Sequence, residues 1–184
     1  MPSALILLAE GAEEIETVVV ADILVRGKVN VTIASLTRAD SVKCSRNVVI
    51  KPDVSLSEVD SSNFDILILP GGLKGAENLS KCNAVGELLK KFEQQNKYIA
   101  CICAAPTVLA THKIATGNKV TSYPSFEKQL TESGYVYSED LVVVDNKLIT
   151  SRGPGTSFEF ALTILEKLID KQCRNSVQQQ LLLK

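Results

Sequence analysis

The chain has 184 residues, 45% of them hydrophobic and 22% charged, with a net charge of −1; a chain of this length buries roughly 70% of its unfolded surface and needs no covalent staple. Acids and bases are interspersed without a basic run, which excludes an electrostatic footprint for nucleic acid or a charged membrane. No apolar run approaches the roughly 20 residues of a membrane helix, and the start MPSALILLAEGAEEIE lacks the features of a signal or transit peptide, so a soluble intracellular protein is expected.

In chain order, residues 4–9 (ALILLA) read as a strand, and 13–26 have helical spacing, with Gly27 as the expected left-handed residue after the helix. A second strand is predicted over 29–34 and a small hairpin over 42–53, followed by Ser55 and Glu58 as a capping box on a single turn. Strands follow at 64–70 and 98–102, separated by a helix over 83–95 that carries Val85, Leu88, Leu89 and Phe92 on one face. A short helix over 104–112 leads to a strand at 119–123, a hairpin over 135–150 turning at Asp145 and Asn146, a strand at 147–151 and a helix over 157–170. Several strands are apolar on consecutive residues, as strands covered on both faces are. The expected fold class is therefore α/β, a three-layer sandwich with a mostly parallel sheet and right-handed crossovers, in one domain over 1–184. Residues 171–184 are either a packed terminal helix or a frayed tail.

Ligands of such sheets sit at the carboxyl ends of the strands. Three segments lie there: Glu10 to Glu16 after the first strand, Pro70-Gly71-Gly72 after the third, and Cys103 after YIACI. A residue on a sharp strand-to-helix turn is pushed out of the sheet, as in a serine elbow. Here it carries sulfur, and the following helix N-terminus is expected to favour thiolate and lower the thiol below its free value of about 8.5. The alternative is a buried core thiol. His112 lies nine residues further along the same helix, roughly 13 Å away, and is excluded as its general base. Glu16 is either a solvated carboxylate or a buried acid that stays protonated and donates to the sulfur. Gly71 and Gly72 allow close backbone approach, and their N–H groups with that of Ala104 offer an oxyanion hole. No Gly-Lys-Ser/Thr follows, so this is not a phosphate loop, and GGLKGAEN lacks the dinucleotide order. Cys44, Cys82, Cys101, Cys103 and Cys173 are an odd set without framework spacing and are read as reduced thiols. One histidine and a single C-x-C are too few ligands for zinc.

EGAEEIE (10–16), KCSRNV (43–48), LPGGLKGAENL (69–79), ACICAAPTVLA (100–110), KVTSYPS (119–125) and SRGPGTSFEFAL (151–162) together resemble the DJ/PfpI superfamily. The resemblance implies a flavodoxin-like sandwich, a homodimer, and an oxidation-prone thiol in a pocket near the dimer interface. It implies Cys103 as nucleophile and redox-modified residue and Glu16 as its carboxylic partner. Gly72 and Ala104 would be backbone donors, with Arg46 at the pocket mouth and Arg26 reaching in from the dimer partner. The implied activity is that of a glutathione-independent glyoxalase or deglycase acting on small reactive aldehydes without a cofactor. The other implied role is a redox sensor or chaperone in which Cys103 becomes a sulfinate. The implied location is the cytoplasm, with nucleus and mitochondrion as further compartments. Tyr123 stands where vertebrate relatives have a pocket histidine, and Lys51 where they have a second peripheral cysteine. Cys101 replaces an alanine and is either a core thiol or a resolving thiol. Ala104 takes the place of the histidine that follows the nucleophile in bacterial hydrolases, which argues against peptidase activity.

Overall fold

A computed structural model describes residues 1–183. In chain order its elements are β1 (Ser3–Leu8), α1 (Glu14–Arg26), β2 (Asn30–Ser35), β3 (Val42–Lys43), β4 (Val49–Ile50), β5 (Val54–Ser55), β6 (Ile66–Leu69), α2 (Leu73–Lys81) and α3 (Asn83–Gln94). Then come β7 (Tyr98–Ile102), α4 (Pro106–His112), β8 (Lys119–Val120), α5 (Glu127–Glu132), β9 (Val136–Tyr137), β10 (Val142–Asp145), β11 (Leu148–Ser151), α6 (Ser157–Leu168) and α7 (Lys171–Gln180).

The main sheet has seven strands in the order β10-β11-β7-β6-β1-β2-β5, parallel except for β10. Consecutive apolar residues serve two cores at once. Leu5, Leu7, Leu67, Leu69 and Cys101 face α3 and α4 through Phe92, Val108 and Leu109, while Ala4, Ile6, Ile66, Ile68 and Ile102 face α1 and α6 through Ile23, Leu24 and Phe160. Each fully buried Leu, Ile or Phe contributes about 1.5–3 kcal/mol. The fold is the expected flavodoxin-like α/β sandwich. Among the described residues no helix is long and apolar enough to cross a membrane.

The order in which strands are laid down reverses between β1 and β6. The chain first builds β1, β2 and β5 outward in one direction, then returns to β6 and builds β7 and β11 in the other. Loops leaving β1 and β6 therefore diverge and leave a crevice at their carboxyl ends, and the turn after β7 opens beside it.

Several elements differ from the sequence reading. Gly27 has φ −78°, and the left-handed residue is Lys28 at φ +61°. Gly27 serves packing instead: a Cβ there would run into the Leu165 side chain, so its absence lets α1 lie close on α6. The 119–123 strand shrinks to two residues, paired in parallel with β9 in a separate small sheet. Beyond it the Thr121 N–H donates to Thr150 Oγ1 and the Tyr123 N–H to the Cys103 carbonyl, so neither continues a ladder. Consequently the hairpin with its turn at Asp145 and Asn146 starts only at Val142 and runs to Ser151, one residue beyond the 135–150 segment. The 42–53 hairpin and the Ser55–Glu58 capping box are present. Helices α2 and α5 had no sequence assignment; Gly75 weakens the pattern of α2, yet it is where Ala12 packs, since a Cβ would stand 2.8 Å from the Ala12 Cα.

Residues 171–180 are helix α7. The Asp170 carboxylate accepts from the Cys173 N–H at 2.7 Å, and Val177 is buried in the α1–α6 core. Arg174 reaches back to Glu159 at 2.7 Å and Glu166 at 2.9 Å on α6. Lys184, the last residue of the LLLK tail, lies outside the described residues.

Candidate active site

Cys103 stands at the end of β7 with φ +64°, a left-handed conformation that costs a non-glycine residue about 1–2 kcal/mol. Two backbone hydrogen bonds hold it there: its N–H donates to the Ser151 carbonyl at 3.0 Å and its carbonyl accepts from the Tyr123 N–H at 2.9 Å. This is the elbow predicted from sequence. Helix α4 begins only at Pro106 and is seven residues long, so the dipole behind the sulfur is short. The N–H groups of Gly72 and Ala104 lie close enough to the sulfur to favour its anion.

Glu16 lies in the first turn of α1 and is completely buried. Its Oε2 accepts from the Gly71 N–H at 2.7 Å. Oε1 has no hydrogen-bond partner, and the nearby Cys103 thiol bears on the carboxyl's titration. Burial pushes Glu16 up to about 7, against the hydrogen bonds from Gly71 and Cys103, which favour the anion. Of the two sequence alternatives for Glu16, the solvated carboxylate is ruled out by its burial.

Burial also pushes the Cys103 thiol up to about 12, helped by the Glu16 charge and opposed by the Gly72 and Ala104 N–H groups. This corrects the expected lowering, which counted the helix N-terminus and left out the desolvation of sulfur and the adjacent carboxylate. The two groups are coupled. When Glu16 holds the proton, its repulsive charge is gone and its O–H can donate to sulfur, so a proton on Glu16 lowers the cost of the thiolate.

The glycines make this contact possible. A Cβ on Gly71 would stand 2.7 Å from the Cys103 Cβ and 2.8 Å from Glu16 Oε2. Gly72 has φ +81°, and a Cβ there would come within 2.8 Å of the Glu13 nitrogen. The Gly71 N–H, expected in an oxyanion hole, is committed to Glu16, which leaves Gly72 and Ala104 as the donors facing sulfur.

A cavity of about 1180 Å³ opens above the sulfur, lined among others by Glu13, Cys44, Arg46, Gly72, Ala104 and Tyr123. Arg46 is on its wall as expected. The β3–β4 hairpin carrying it is fastened to α1 by Glu14, whose carboxylate accepts from Ser45 Oγ at 2.9 Å and the Arg46 N–H at 2.8 Å. Burial disfavours the Glu14 anion, but these bonds and others from backbone N–H groups outweigh it and hold the carboxyl below its ordinary value. Tyr123 is half exposed, its ring lying over Gly153.

Other candidates lie elsewhere. Arg26 pairs with Asp22 at the opposite end of α1 from Glu16, ten residues or roughly 15 Å away, and does not line the cavity of its own chain. Cys101 is fully buried in the core beneath α3 and α4, not in the cavity. His112 packs on Gly86 of α3. Sequence reasoning missed Glu13 and Cys44 on the cavity wall; the available signal was a glutamate at a helix cap, where Ser, Thr, Asp or Asn is usual.

Residues 2–167 match the DJ-1/PfpI family. Protein dj-1beta from Drosophila melanogaster is 50% identical over 181 residues, covering 98% of this chain and 96% of that protein. Its crystal structure matches with a TM-score of 0.97 at 49% identity, covering 100% of this chain and 98% of that one. The glutathione-independent glyoxalase DJR-1.2 of Caenorhabditis elegans is 46% identical over 182 residues, covering 98% and 96% of the two chains. A Toxoplasma gondii DJ-1 solved in an oxidized form has a TM-score of 0.95 at 37% identity, covering 100% and 99%. The chain belongs to the DJ-1/PfpI family.

Proposed function

We propose that this chain is a glutathione-independent glyoxalase that converts methylglyoxal to lactate, and glyoxal to glycolate, with Cys103 as nucleophile and Glu16 as proton carrier. The observation that carries the reading is the buried Glu16 carboxyl, raised to about 7, against the Cys103 sulfur on the cavity floor. A group near the operating pH can act as acid and then as base. The glyoxalase name of a 46% identical relative supports the same class of reaction.

In the proposed sequence the Cys103 sulfur adds to the aldehyde carbon, with the thiol proton taken up by Glu16 and the new oxyanion accepting from the Gly72 and Ala104 N–H groups. Once Glu16 has passed that proton to the oxyanion, its carboxylate removes the proton from the former aldehyde carbon to give an enediolate and returns it to the neighbouring carbon, while the hydroxyl proton of the first carbon passes to the second oxygen. The first carbon is thereby oxidised to a thioester and the second reduced to an alcohol. Water then cleaves the thioester, releasing the 2-hydroxy acid and the free thiol. Electrons balance within the substrate, so the sequence requires no cofactor. Deglycase action would be the same sulfur addition once the carbinolamine or hemithioacetal has released its amine or thiol and regenerated the aldehyde.

The expected result is lactate from methylglyoxal without glutathione, abolished in Cys103→Ala; undiminished turnover in that variant overturns the reading. A second reading is a redox sensor in which Cys103 is oxidised to a sulfinate held by Glu16 and the backbone donors, favoured by the oxidized form of the Toxoplasma relative. Intact mass after graded peroxide should then show two added oxygens on Cys103 before any on the other four cysteines.

We also assign a homodimer. Ile15, Val18 and Val25 on the outer face of α1 and Val48 and Val49 at the hairpin are exposed apolar side chains that a second copy would cover. In that assembly Arg26 of one chain would approach the cavity of the other. Sedimentation should give twice the chain mass, and Val18→Glu should give the monomer.

A further inference from the structure

Glu13 breaks a local rule. It is the N-cap of α1, accepting from the Glu16 N–H through Oε2 at 2.9 Å, a task that a neutral serine, threonine or asparagine does as well. It does so while only 8% exposed, three residues from a second buried acid and on the wall of the cavity that holds Cys103. Two like charges in one poorly solvated place repel, so the choice of glutamate works against folding. Local rules are broken in this way at sites under functional demand.

The backbone binds the two acids into one unit. The Glu13 N–H donates to the Gly71 carbonyl at 3.1 Å, and the Gly71 N–H donates to Glu16 at 2.7 Å, so the two peptides flanking one glycine are each held by one of the acids. The Glu13 backbone also lies directly under Gly72. Its side chain cannot retreat without breaking the cap and is held near the Glu16 carboxyl.

We propose that Glu13 is a positioning residue for the Glu16 proton: its negative charge strengthens the hold of Glu16 on the proton it takes from Cys103, while its cap bond holds the helix turn carrying Glu16. The proposal rests on the assignment of Glu16 as proton carrier. Several charged groups lie on the elements around Glu16. Glu14 on α1 is turned to the hairpin, Lys74 of α2 is paired with Glu10, and Glu159 and Glu166 of α6 are held by Arg174. Burial and the Gly71 N–H act on its titration most, and of the titratable groups Glu13 and Cys103 bear on it, Glu13 in the direction of the acid form.

The test reads the Glu16 proton directly, without turnover. In infrared titration of the whole protein, the carbonyl band of protonated Glu16 is identified by its loss in Glu16→Gln. Glu13→Gln keeps a capping oxygen and removes the charge; the band should then disappear at a pH lower by about half to one unit. Glu13→Asn, a good neutral cap, should shift it equally and serves if the glutamine variant folds poorly. Glu13→Asp, which keeps the charge, should titrate as wild type. An unchanged or raised midpoint in both neutral variants overturns the proposal, and so does an aspartate variant that shifts as far as they do. Absence of lactate formation by wild type, with the infrared shifts as expected, would instead count against the glyoxalase reading and leave the Glu13 assignment supported.

Discussion

Gly71 and Glu16 are fitted to each other: the glycine N–H donates to Oε2 at 2.7 Å, and the space a side chain would need is filled by that same oxygen and by the Cys103 Cβ. A third wall is the Ile102 carbonyl, 2.8 Å from where a Cβ would sit, and backbone cannot swing aside. The carboxyl is thus brought to sulfur by the absence of one methyl group.

Gly71→Ala should therefore damage stability and site together. Overpacking at a fixed wall costs about 1–3 kcal/mol, and displacing Glu16 from sulfur should lower lactate formation at least about tenfold, the effect of a misplaced proton carrier. Urea unfolding and the lactate assay check both. Gly155→Ala is the control, because a Cβ there meets nothing within 4 Å. It should stay within about 0.5 kcal/mol of wild type.

Glu16 should leave a signature in the pH dependence of stability. Its folded value of about 7 lies above the ordinary 4.5, so between these limits the folded chain holds a proton that the unfolded chain has lost. Stability is then complete below pH 4.5, falls as pH rises through the window and is level above 7, with a total loss of up to about 3 kcal/mol. Glu16→Gln has no proton to lose. The difference between wild type and variant, measured by urea unfolding at pH 4.5, 6 and 8, should move in favour of the variant across the window. A constant difference would show that Glu16 is not protonated in the fold.

The sequence made the frame of this site legible because frame and sequence pattern share a cause. Apolar runs such as ILIL at Ile66 to Leu69 are what a strand covered on both sides requires, and Cys103 was visible as the residue where that pattern stops. Glu16 was placed by its family motif, since nothing local to residue 16 announces a partner 87 residues away. The state of the thiol was misread because helix position can be counted along a chain, whereas desolvation depends on what packs around the sulfur. Glu13 was passed over for a similar reason: a glutamate before a helix looks like a solvated charge until Gly71 and Gly72 close over it. Helix α2 was hidden by glycines that serve the approach of Ala12 rather than the helix itself.

Cys101 tests the difference between nearness in sequence and nearness in space. It is two residues from Cys103 but buried in the core below the sheet, away from the cavity. Burial pushes its thiol above the ordinary range. Cys101→Ala should leave methylglyoxal turnover within about twofold, a difference of less than 0.5 kcal/mol in barrier, while lowering stability by about 1 kcal/mol through the small cavity left behind. Peroxide treatment of wild type should produce no Cys101–Cys103 disulfide in peptide mapping. A loss of two hydrogens within the peptide that carries both cysteines would overturn the placement and revive the resolving thiol.

Arg174 offers a perturbation that should spare the chemistry. Its guanidinium joins Glu159 and Glu166 of α6 to α7, and the hydrogen bond to Arg174 holds the Glu166 carboxyl below its ordinary value. Arg174→Met keeps much of the apolar stem and removes the charge. The part of the stability owed to Glu166 is present above its unfolded value and disappears as pH falls through the folded one, so the variant should differ from wild type at neutral pH and converge on it in acid. Glu166 is partly exposed, so solvent screening limits the neutral-pH loss to about 1 kcal/mol. Amides of 171–180 should exchange several-fold faster as α7 undocks, since local opening reports local contacts. Lactate formation should be unchanged, because no residue of α7 lines the cavity over Cys103; a parallel loss of activity would mean that the terminal helix bears on the site through α1, against which α6 packs.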